Sequence, residues 1–343
     1  MIEYTQLKNH ERKNLREVIP LQKPFTLLIE PSNYCNFRCV SCFQSLRGEN
    51  YISRNRASMS MDIYDKIISQ LQGWGGDKLK VLKLSLYGEP FTNPHFSEML
   101  RKAREADIAE RIETTTNASL LTEQLCRDLV GYGIDYIRVS IYGGSQRRYE
   151  EVTGCPNADM EAIRNSLKRI LEYKRAAGSE RPFVSAKMLD TYGPENEEFL
   201  EKFTEAADEV YIDKPHNWTA TEEKSFIGSL YTQEQQEKLR EDSSRFMSGR
   251  IACTMPFTTL AVRSNGDVSP CCIDWSGGTN LGNIHEETLQ EIWNGDKMYE
   301  FRKMQLENRK QENESCRNCE FYKNDYYIRD NIDGFPVEKL RNG

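Results

Sequence analysis

The chain has 343 residues, a formal net charge of −7, 38% apolar residues and 29% charged residues, which is the composition of a globular protein with about two structural units. No run approaches the roughly 18 apolar residues of a membrane span, and the acidic balance argues against a nucleic-acid surface, which is normally basic. Ten cysteines accompany a charged and polar stretch, Met1–Pro20, in place of a signal peptide. We therefore expect a cytoplasmic protein whose cysteines bind metal and do not form disulfides.

From Phe25 onward, short apolar runs alternate with amphipathic stretches. The apolar runs predict six strands, at Thr26–Glu30, Val81–Leu86, Arg111–Thr115, Tyr136–Ile141, Phe183–Met188 and Glu209–Ile212. The stretches between them predict helices at Met61–Trp74, Pro94–Ala106, Thr122–Tyr132, Ala158–Ala177 and Pro194–Ala207. This alternation predicts an α/β fold with a parallel sheet, and six units predict a partial (β/α)6 barrel. Active sites of such barrels lie at the carboxyl ends of the strands.

Changes in composition and hydrophobic pattern along the chain predict five segments. They are a polar N-terminal lead-in at 1–24, the partial barrel at 25–223, a charged helical linker at 224–250, a small C-terminal domain at 251–330 and a tail at 331–343. In the C-terminal domain, Asn265-Gly266 between two short apolar runs predicts a β-hairpin. The apolar spacing further along predicts one helix over Glu287–Met304.

Cys35, Cys39 and Cys42 follow the first predicted strand directly. Three thiolates on one loop can ligate three irons of a [4Fe-4S] cluster and leave the fourth iron open to a small molecule. A structural zinc site is an alternative, although it usually takes four protein ligands. A disulfide framework and a chance grouping of buried cysteines are further alternatives.

A second set of cysteines lies in the C-terminal domain: Cys253, Cys271, Cys316 and Cys319. Four cysteines can fully ligate a second four-iron cluster, and the same count also allows a zinc site. Cys272 is surplus and could exchange roles with its neighbour Cys271. It is either a thiol without chemistry or a hydrogen-atom donor to a substrate radical. The remaining cysteines, Cys126 and Cys155, are expected to be structural.

The spacing Cys-x3-Cys-x2-Cys resembles the signature of the radical S-adenosylmethionine (radical SAM) enzymes. Tyr87-Gly88-Glu89-Pro90 resembles the Gly-Gly-Glu-Pro motif of that family. The region from Cys253 onward resembles the family's C-terminal SPASM region, in the shortened twitch form that holds one auxiliary cluster. The resemblance covers roughly Phe25–Tyr322, and it implies S-adenosyl-L-methionine, a [4Fe-4S] cluster that binds it and an auxiliary [4Fe-4S] cluster as cofactors.

The resemblance also implies roles for single residues. Tyr87, Gly88, Glu89 and Pro90 would receive the methionine ammonium of the cofactor, and a carboxylate there would give a charge-assisted hydrogen bond. Other cofactor-binding candidates are Thr116, Asn117, Ser140 and Phe43. The family usually has an aromatic residue before the third cysteine, where this chain has Ser41, and Phe43 follows the cysteine instead. A plain turn at Gly88-Glu89-Pro90 and ordinary strand-end caps at the other positions are the alternatives.

The implied chemistry is reductive cleavage of S-adenosylmethionine to a 5′-deoxyadenosyl radical, which removes a hydrogen atom from the substrate. The one-cluster form resembles enzymes that act on carbohydrates or aminocyclitols, by alcohol dehydrogenation or epimerisation. Only about thirty residues precede Cys35, which is too few for a peptide-recognition domain. Catalytic candidates are Cys272 as hydrogen-atom donor and Lys187, Asp213 or His216 as a base, although each charged residue could simply be solvated.

Two other functions stay open. The same radical could modify a peptide or protein, or the chain could be an electron carrier without enzymatic activity. The resemblance implies a reductant such as flavodoxin or ferredoxin as partner, and neither nucleic acid nor a membrane is expected.

Overall fold

The protein is described here by a computed structural model that covers residues 13–45, 56–214, 230–246, 249–323 and 330–341. Its described strands form one sheet of nine: β1 Thr26–Ile29, β2 Leu79–Leu84, β3 Ala109–Thr116, β4 Tyr136–Ser140, β5 Phe183–Leu189, β6 Glu209–Asp213, β7 Thr259–Val262, β8 Asp267–Ser269 and β9 Gly282–Asn283. The spatial order is β6-β5-β4-β3-β2-β1-β7-β8-β9. Strands β1 to β6 therefore neighbour each other in chain order, and each pair is parallel.

The described helices are α1 Leu15–Val18, α2 Met61–Gly73, α3 Phe96–Ala106, α4 Glu123–Gly131, α5 Gln146–Thr153, α6 Met160–Ala176, α7 Glu195–Phe203, α8 Gln233–Phe246, α9 Met255–Thr258, α10 Leu289–Asn294, α11 Asp296–Leu306 and α12 Glu314–Arg317. The predicted α/β fold, its six parallel strands and the helices between them are confirmed. Most bounds agree within about two residues, but the helix predicted to reach Ala207 ends at Phe203. The prediction missed α5, which Ser145 caps by accepting a hydrogen bond from the Arg148 backbone N–H.

The connections place the helices on one face of the sheet. Strand order follows chain order, and crossovers between parallel strands are right-handed, so successive helices stack on the same side. Leu82 and Leu84 of β2 point to that side and belong to the main hydrophobic core. Lys83 between them points to the opposite side because strand side chains alternate. We call this opposite side the inner face; it carries Lys83, Glu113, Arg138, Lys187 and Asp213.

The C-terminal strands extend the same sheet. Strand β7 pairs in parallel with β1, with Thr26 opposite Thr259 and Ile29 opposite Val262. Strand β8 pairs antiparallel with β7, which is the predicted hairpin, and Gly266 in its turn has a φ of +88°. The barrel and the C-terminal cysteine region are therefore joined by continuous backbone hydrogen bonding.

The prediction of a single helix over Glu287–Met304 is wrong, because two helices occupy this stretch. Thr288 and Glu291 form a capping box that starts α10. Gly295 then adopts an extended conformation with φ −74° and ψ 165°, and it ends α10 and begins α11. A side chain at this position would approach the Glu291 carbonyl oxygen to 2.8 Å, so the break depends on glycine.

A second hydrophobic cluster joins the two ends of the described chain. Leu15 and Ile19, from the predicted polar lead-in, pack with Phe257. Ile332, Phe335 and Leu340, from the predicted tail, complete the cluster. Burying these scattered apolar residues required partners far away in sequence, which a local pattern does not reveal. None of the helices in the described part of the chain is long and apolar enough to cross a membrane.

Candidate active site

The first cysteine loop leaves the carboxyl end of β1. Cys35, Cys39 and Cys42 lie on it, and the Cys42 backbone N–H donates to the Cys39 carbonyl at 2.9 Å. Arg38 closes the loop by donating from its guanidinium to the carbonyls of Cys35 and Phe37. The loop also docks on the end of α5, where the Arg38 N–H donates to the Thr153 carbonyl at 2.9 Å. These hydrogen bonds fix the backbone of the loop that carries the three cysteines.

The chemistry of these thiols fits a polynuclear iron site. Burial raises the pKa of Cys35 to about 12 and that of Cys42 to about 11, and it also raises the pKa of Cys39. Thiols in such a site become thiolates when a bound cation compensates their charge. Within the described ranges, no three His, Cys, Asp or Glu side chains converge as ligands of a single metal ion. The thiolates of an iron–sulfur cluster bind different irons and need no common point.

The second motif follows β2 and packs on the cysteine loop. The Glu89 backbone N–H donates to the Tyr34 carbonyl at 2.9 Å. Gln44 ties the two segments together by donating to the carbonyls of Asn33 at 2.9 Å and Tyr87 at 2.8 Å. A Cβ on Gly88 would lie 2.3 Å from the Ser32 carbonyl oxygen, so glycine is needed for this close approach.

The Glu89 side chain points at the end of β3. It accepts hydrogen bonds from the Thr116 hydroxyl at 2.6 Å, the Asn117 backbone N–H at 2.8 Å and the Phe91 backbone N–H at 3.3 Å. Burial raises the pKa of Glu89 to about 7, although these donors lower it. Among the described residues, no cationic side chain pairs with this carboxylate. A cationic ligand group would therefore find a desolvated and already oriented acceptor.

Asn117 links the acidic motif to the cysteine loop. Its side-chain amide donates to the Cys35 sulfur at 3.8 Å and to the Asn36 side-chain oxygen at 3.0 Å. Ser140, at the end of β4, bonds the hydroxyl of Tyr142, whose pKa is raised by burial and by the neighbouring Cys39, Cys42 and Cys35. The predicted candidates at the ends of β1, β2, β3 and β4 thus meet around the three cysteines.

Phe43 has a different environment from the other cofactor-binding candidates. Its ring stacks on Trp275 with centroids 5.3 Å apart and meets the Tyr87 ring edge-on at 5.7 Å. Phe43 and Tyr87 are both buried and form a small separate cluster with Trp275 packed against it. The side chain that follows the third cysteine therefore contacts the C-terminal region.

The second set of cysteines lines one cavity. Its walls are mostly apolar and include Met255, Pro256 and Phe301, and the four predicted ligands all face it: Cys253, Cys271, Cys316 and Cys319. Burial raises the pKa of all four thiols, to about 11 for Cys316. Gln305 donates to the Cys316 sulfur at 3.5 Å. A mostly apolar cavity bounded by four thiols fits a fully ligated cluster.

Cys272 does not line this cavity. Burial raises its pKa, while Lys83 and Arg138 lower it. Both cations belong to the inner face of the sheet, so Cys272 adjoins the barrel interior while Cys271 faces the cavity. Cys272 also raises the pKa of Cys319, one of the four cavity thiols, so it lies between the cavity and the inner face.

The inner face carries the charged candidates. Lys187 on β5 donates to the Asp213 carboxylate on β6 at 2.7 Å, and both side chains are largely buried. Burial lowers the pKa of Lys187, and Asp213 partly offsets this. Arg111 and Glu113 form a second pair at 2.9 Å. His216, the remaining predicted base, lies outside the described residues.

Comparison with known proteins identifies the family. Residues 29–203 match the radical SAM superfamily, and residues 253–320 match SPASM, an iron–sulfur cluster-binding domain. The chain belongs to the radical SAM superfamily. Its cofactors are S-adenosyl-L-methionine and [4Fe-4S] clusters, an auxiliary cluster among them.

The relatives of this radical SAM protein differ in how much of it they match. S-adenosyl-L-methionine-dependent 2-deoxy-scyllo-inosamine dehydrogenase of Niallia circulans is 22% identical over 302 residues, which are 87% of this chain and 94% of the relative. The tungsten-containing aldehyde ferredoxin oxidoreductase cofactor-modifying protein of Pyrococcus furiosus is 24% identical over 165 residues, which are 48% of this chain and 43% of the relative. The match thus spans less than half of the Pyrococcus protein.

A solved structure shows the same fold. Streptococcus suis SuiB bound to precursor peptide SuiA superposes with a TM-score of 0.63 at 17% identity, over 89% of this chain and 73% of that chain. At this identity the likeness concerns the architecture of the radical SAM protein and leaves the substrate open.

Sequence reasoning missed several residues of this site. Tyr142 lies two positions after β4, and Trp275 lies four positions after Cys271; nothing in the local pattern marks either as a neighbour of the first cysteine loop. Lys83 did carry a signal, because a charged residue between Leu82 and Leu84 marks the face of the strand that helices do not cover.

Proposed function

We propose that this radical SAM enzyme abstracts a hydrogen atom from a carbohydrate- or aminocyclitol-like alcohol and oxidises it to a ketone. The observation that carries the proposal is the closeness of the auxiliary cavity to the barrel: Cys271 lines the cavity, and Trp275, four residues further on, stacks on Phe43 beside the first cysteine loop. Lys83 and Arg138 of the inner face also act on Cys272. A substrate on the inner face would lie one residue from the auxiliary site. The match to the inosamine dehydrogenase over 94% of that relative supports the same chemistry.

We assign two ligand sets. Cys35, Cys39 and Cys42 would hold the cluster that binds S-adenosylmethionine, and Cys253, Cys271, Cys316 and Cys319 would hold the auxiliary cluster. When bound, these groups supply the 5′-deoxyadenosyl radical and a place for the second electron of the oxidation.

The protein's own residues would position the cofactor. The Glu89 carboxylate, already oriented by Thr116 and Asn117, would accept a hydrogen bond from the methionine ammonium. A charge-assisted hydrogen bond in a desolvated site is stronger than a neutral one. Gly88, Pro90 and Tyr87 would shape the backbone around it, and Ser140 with Tyr142 would close the opposite side.

A base must remove the hydroxyl proton while the carbon loses its hydrogen atom. Oxidation of a secondary alcohol to a ketone removes one hydrogen atom, one proton and one electron. The base would take the proton, and a cluster held by the four C-terminal cysteines would be the acceptor for the electron. The Lys187–Asp213 pair provides a carboxylate and an amine with a lowered pKa on the inner face. We propose this pair as the proton acceptor.

The decisive experiment uses an alcohol panel deuterated at each carbinol carbon. The reconstituted enzyme would be reduced with flavodoxin or ferredoxin, the class of partner that the family implies, in the presence of S-adenosylmethionine. We expect one deuterated 5′-deoxyadenosine for each ketone formed. Deuterium transfer from a peptide with no turnover of any polyol would replace this proposal with peptide modification, and no 5′-deoxyadenosine at all would indicate an electron carrier.

Variants of the proposed base sharpen the test. Lys187→Met and Asp213→Asn should lower kcat by about 10²- to 10⁴-fold, the usual contribution of general base catalysis, and leave S-adenosylmethionine binding unchanged. Lys168→Met is the matched control, because Lys168 pairs with the exposed Glu205 on the surface. Unchanged kcat in both inner-face variants would exclude the pair as the base.

A further inference from the structure

Lys83 occupies the middle of the inner face. In β2 it lies opposite Leu28 of β1 and Glu113 of β3. Its neighbours Leu82 and Leu84 are fully buried beneath the helices, so the Lys83 side chain extends to the other side of the sheet.

Charged groups of both signs act on Lys83. Arg138 on β4 and Lys187 on β5 both act on its ammonium group, as do Glu113 and Cys272. The strand register places these side chains on the same face, since Lys83 pairs with Glu113, Thr115 with Arg138 and Ser140 with Lys187. Lys83 therefore points into the barrel interior, toward residues of several strands.

The nearby carboxylates are already engaged. Glu113 pairs with Arg111 at 2.9 Å, and Asp213 pairs with Lys187 at 2.7 Å. In the part of the chain that the structure describes, no group pairs with or accepts a hydrogen bond from the Lys83 ammonium. An interior ammonium group beside other cations is unfavourable unless an anion joins it. Burial and Arg138 accordingly lower the pKa of Lys83.

The position along β2 separates Lys83 from the cofactor motif. Lys83 lies one residue before the end of β2, whereas Gly88 lies in the loop that follows the strand, so Lys83 is deeper in the barrel than the cofactor motif. A group bound at this depth would belong to the substrate rather than to the methionine end of the cofactor.

We propose that Lys83, together with Arg138, binds an anionic group of the substrate, a carboxylate or a phosphate. An ammonium and a guanidinium group are the side chains that bind such oxyanions most strongly. The inference rests on the proposed function in one respect, since it takes the inner face as the substrate's place. It narrows the substrate class from polyols in general to acidic or phosphorylated ones.

The test measures binding without turnover. The reconstituted holoenzyme with S-adenosylmethionine would be titrated calorimetrically with D-glucose, D-glucuronate and D-glucose 6-phosphate at constant ionic strength. We expect at least one anionic sugar to bind tenfold or more tightly than D-glucose, and the comparison of the two anions identifies carboxylate or phosphate. If neither anion binds more tightly than D-glucose, the inference is wrong.

Two variants and a control assign the effect to Lys83. Lys83→Met should abolish the preference for the anion, and Lys83→Arg should keep most of it, which also guards against a misfolded Met variant. Lys80→Met is the control, because Lys80 lies on the same strand but on the opposite face and pairs with Glu110. Loss of S-adenosylmethionine affinity in Lys83→Met, with anion binding intact, would assign Lys83 to the cofactor and overturn the inference.

The outcome is distinguishable from that of the proposed function. Oxidation of neutral polyols with no anion preference would leave the dehydrogenase proposal standing and remove only the role of Lys83. Anion binding that depends on Lys83 would stand even if the bound sugar were modified in another way.

Discussion

The ring of Phe43 stacks on the ring of Trp275, with centroids 5.3 Å apart and planes inclined by 12°. Phe43 directly follows Cys42, and Trp275 lies shortly after Cys271. Tyr87, from the acidic motif, meets Phe43 edge-on, and the Arg263 guanidinium lies over the Tyr87 ring. These aromatic contacts therefore join the first cysteine loop, the acidic motif that contains Glu89 and the C-terminal cysteine region.

This contact should be measurable as an energetic coupling. Phe43→Leu and Trp275→Leu in a double-mutant cycle should give a coupling of about 0.5–1.5 kcal/mol, the value typical of aromatic pairs. The free energy of unfolding from denaturant titration is the measurement. Phe43→Leu combined with Phe203→Leu, on α7, should be additive, and additivity in the Phe43–Trp275 cycle would show that the stack contributes no stability of its own.

The buried ion pair between Arg263 and Asp274 should matter for stability, so removing one partner should lower the free energy of unfolding. Arg263 and Asp274 are both almost fully buried at 3.0 Å, and Ser315 also donates to Asp274. Asp274→Ala would leave the guanidinium buried without its carboxylate, so we expect a loss of about 3–5 kcal/mol in the free energy of unfolding. The exposed pair Lys80–Glu110 is the control, and Glu110→Ala should cost no more than about 1 kcal/mol. Equal losses in the two variants would contradict this prediction.

Glu89 should make stability depend on pH. Its pKa is about 7 in the folded protein, against an ordinary value of 4.5, so the folded state binds the proton more tightly than the unfolded state does. This contribution is complete below about pH 4.5 and is lost as pH rises through about 7, with a total on the order of 3 kcal/mol.

The measurement compares the free energy of unfolding at pH 5 and pH 8 in the protein without clusters. In Glu89→Gln the decline between these pH values should become smaller by most of that amount, because glutamine does not titrate. The exposed Glu205→Gln should keep the wild-type decline. An unchanged pH dependence in Glu89→Gln would mean that the carboxylate ionises in the folded protein as readily as in water.

Iron content should separate the two cysteine sets. After anaerobic reconstitution we expect about eight irons per chain in the wild type and about four in the Cys35/Cys39/Cys42→Ala variant. Cys271→Ala should impair the auxiliary cluster, whereas Cys272→Ala should keep about eight irons, because Cys271 lines the cavity and Cys272 does not. About four irons together with zinc in the wild type would make the C-terminal site a structural zinc site.

Cys272 should distinguish the two reactions open to this enzyme. In a dehydrogenase, Cys272→Ala should leave ketone formation largely intact. In an epimerase, the same variant should abolish inversion, because the radical would lack its hydrogen-atom donor. Product stereochemistry and solvent deuterium at the carbinol carbon are the readouts, and inversion at full rate in the variant would rule out Cys272 as the donor.

Much of the fold could be predicted from local pattern. The predicted strand at Tyr136 and the predicted helix at Met61 agree with the structure within a residue or two, because apolar periodicity depends on near neighbours. The cysteine spacing and Gly88-Glu89-Pro90 can also be recognised in the sequence, because the residues of each motif lie close together in one loop. The break at Gly295 was missed because a glycine inside an amphipathic run has no single local meaning.

The family, the cofactors and the six parallel strands follow from residues close together in the chain, so a linear pattern is enough to predict them. Three relationships could be seen only in the folded chain: β7 extends the barrel sheet beside β1, Cys271 and not Cys272 lines the auxiliary cavity, and Lys83 faces Glu113 on the inner face. These relationships depend on which segments distant in sequence become neighbours, and that is set by packing of the whole chain.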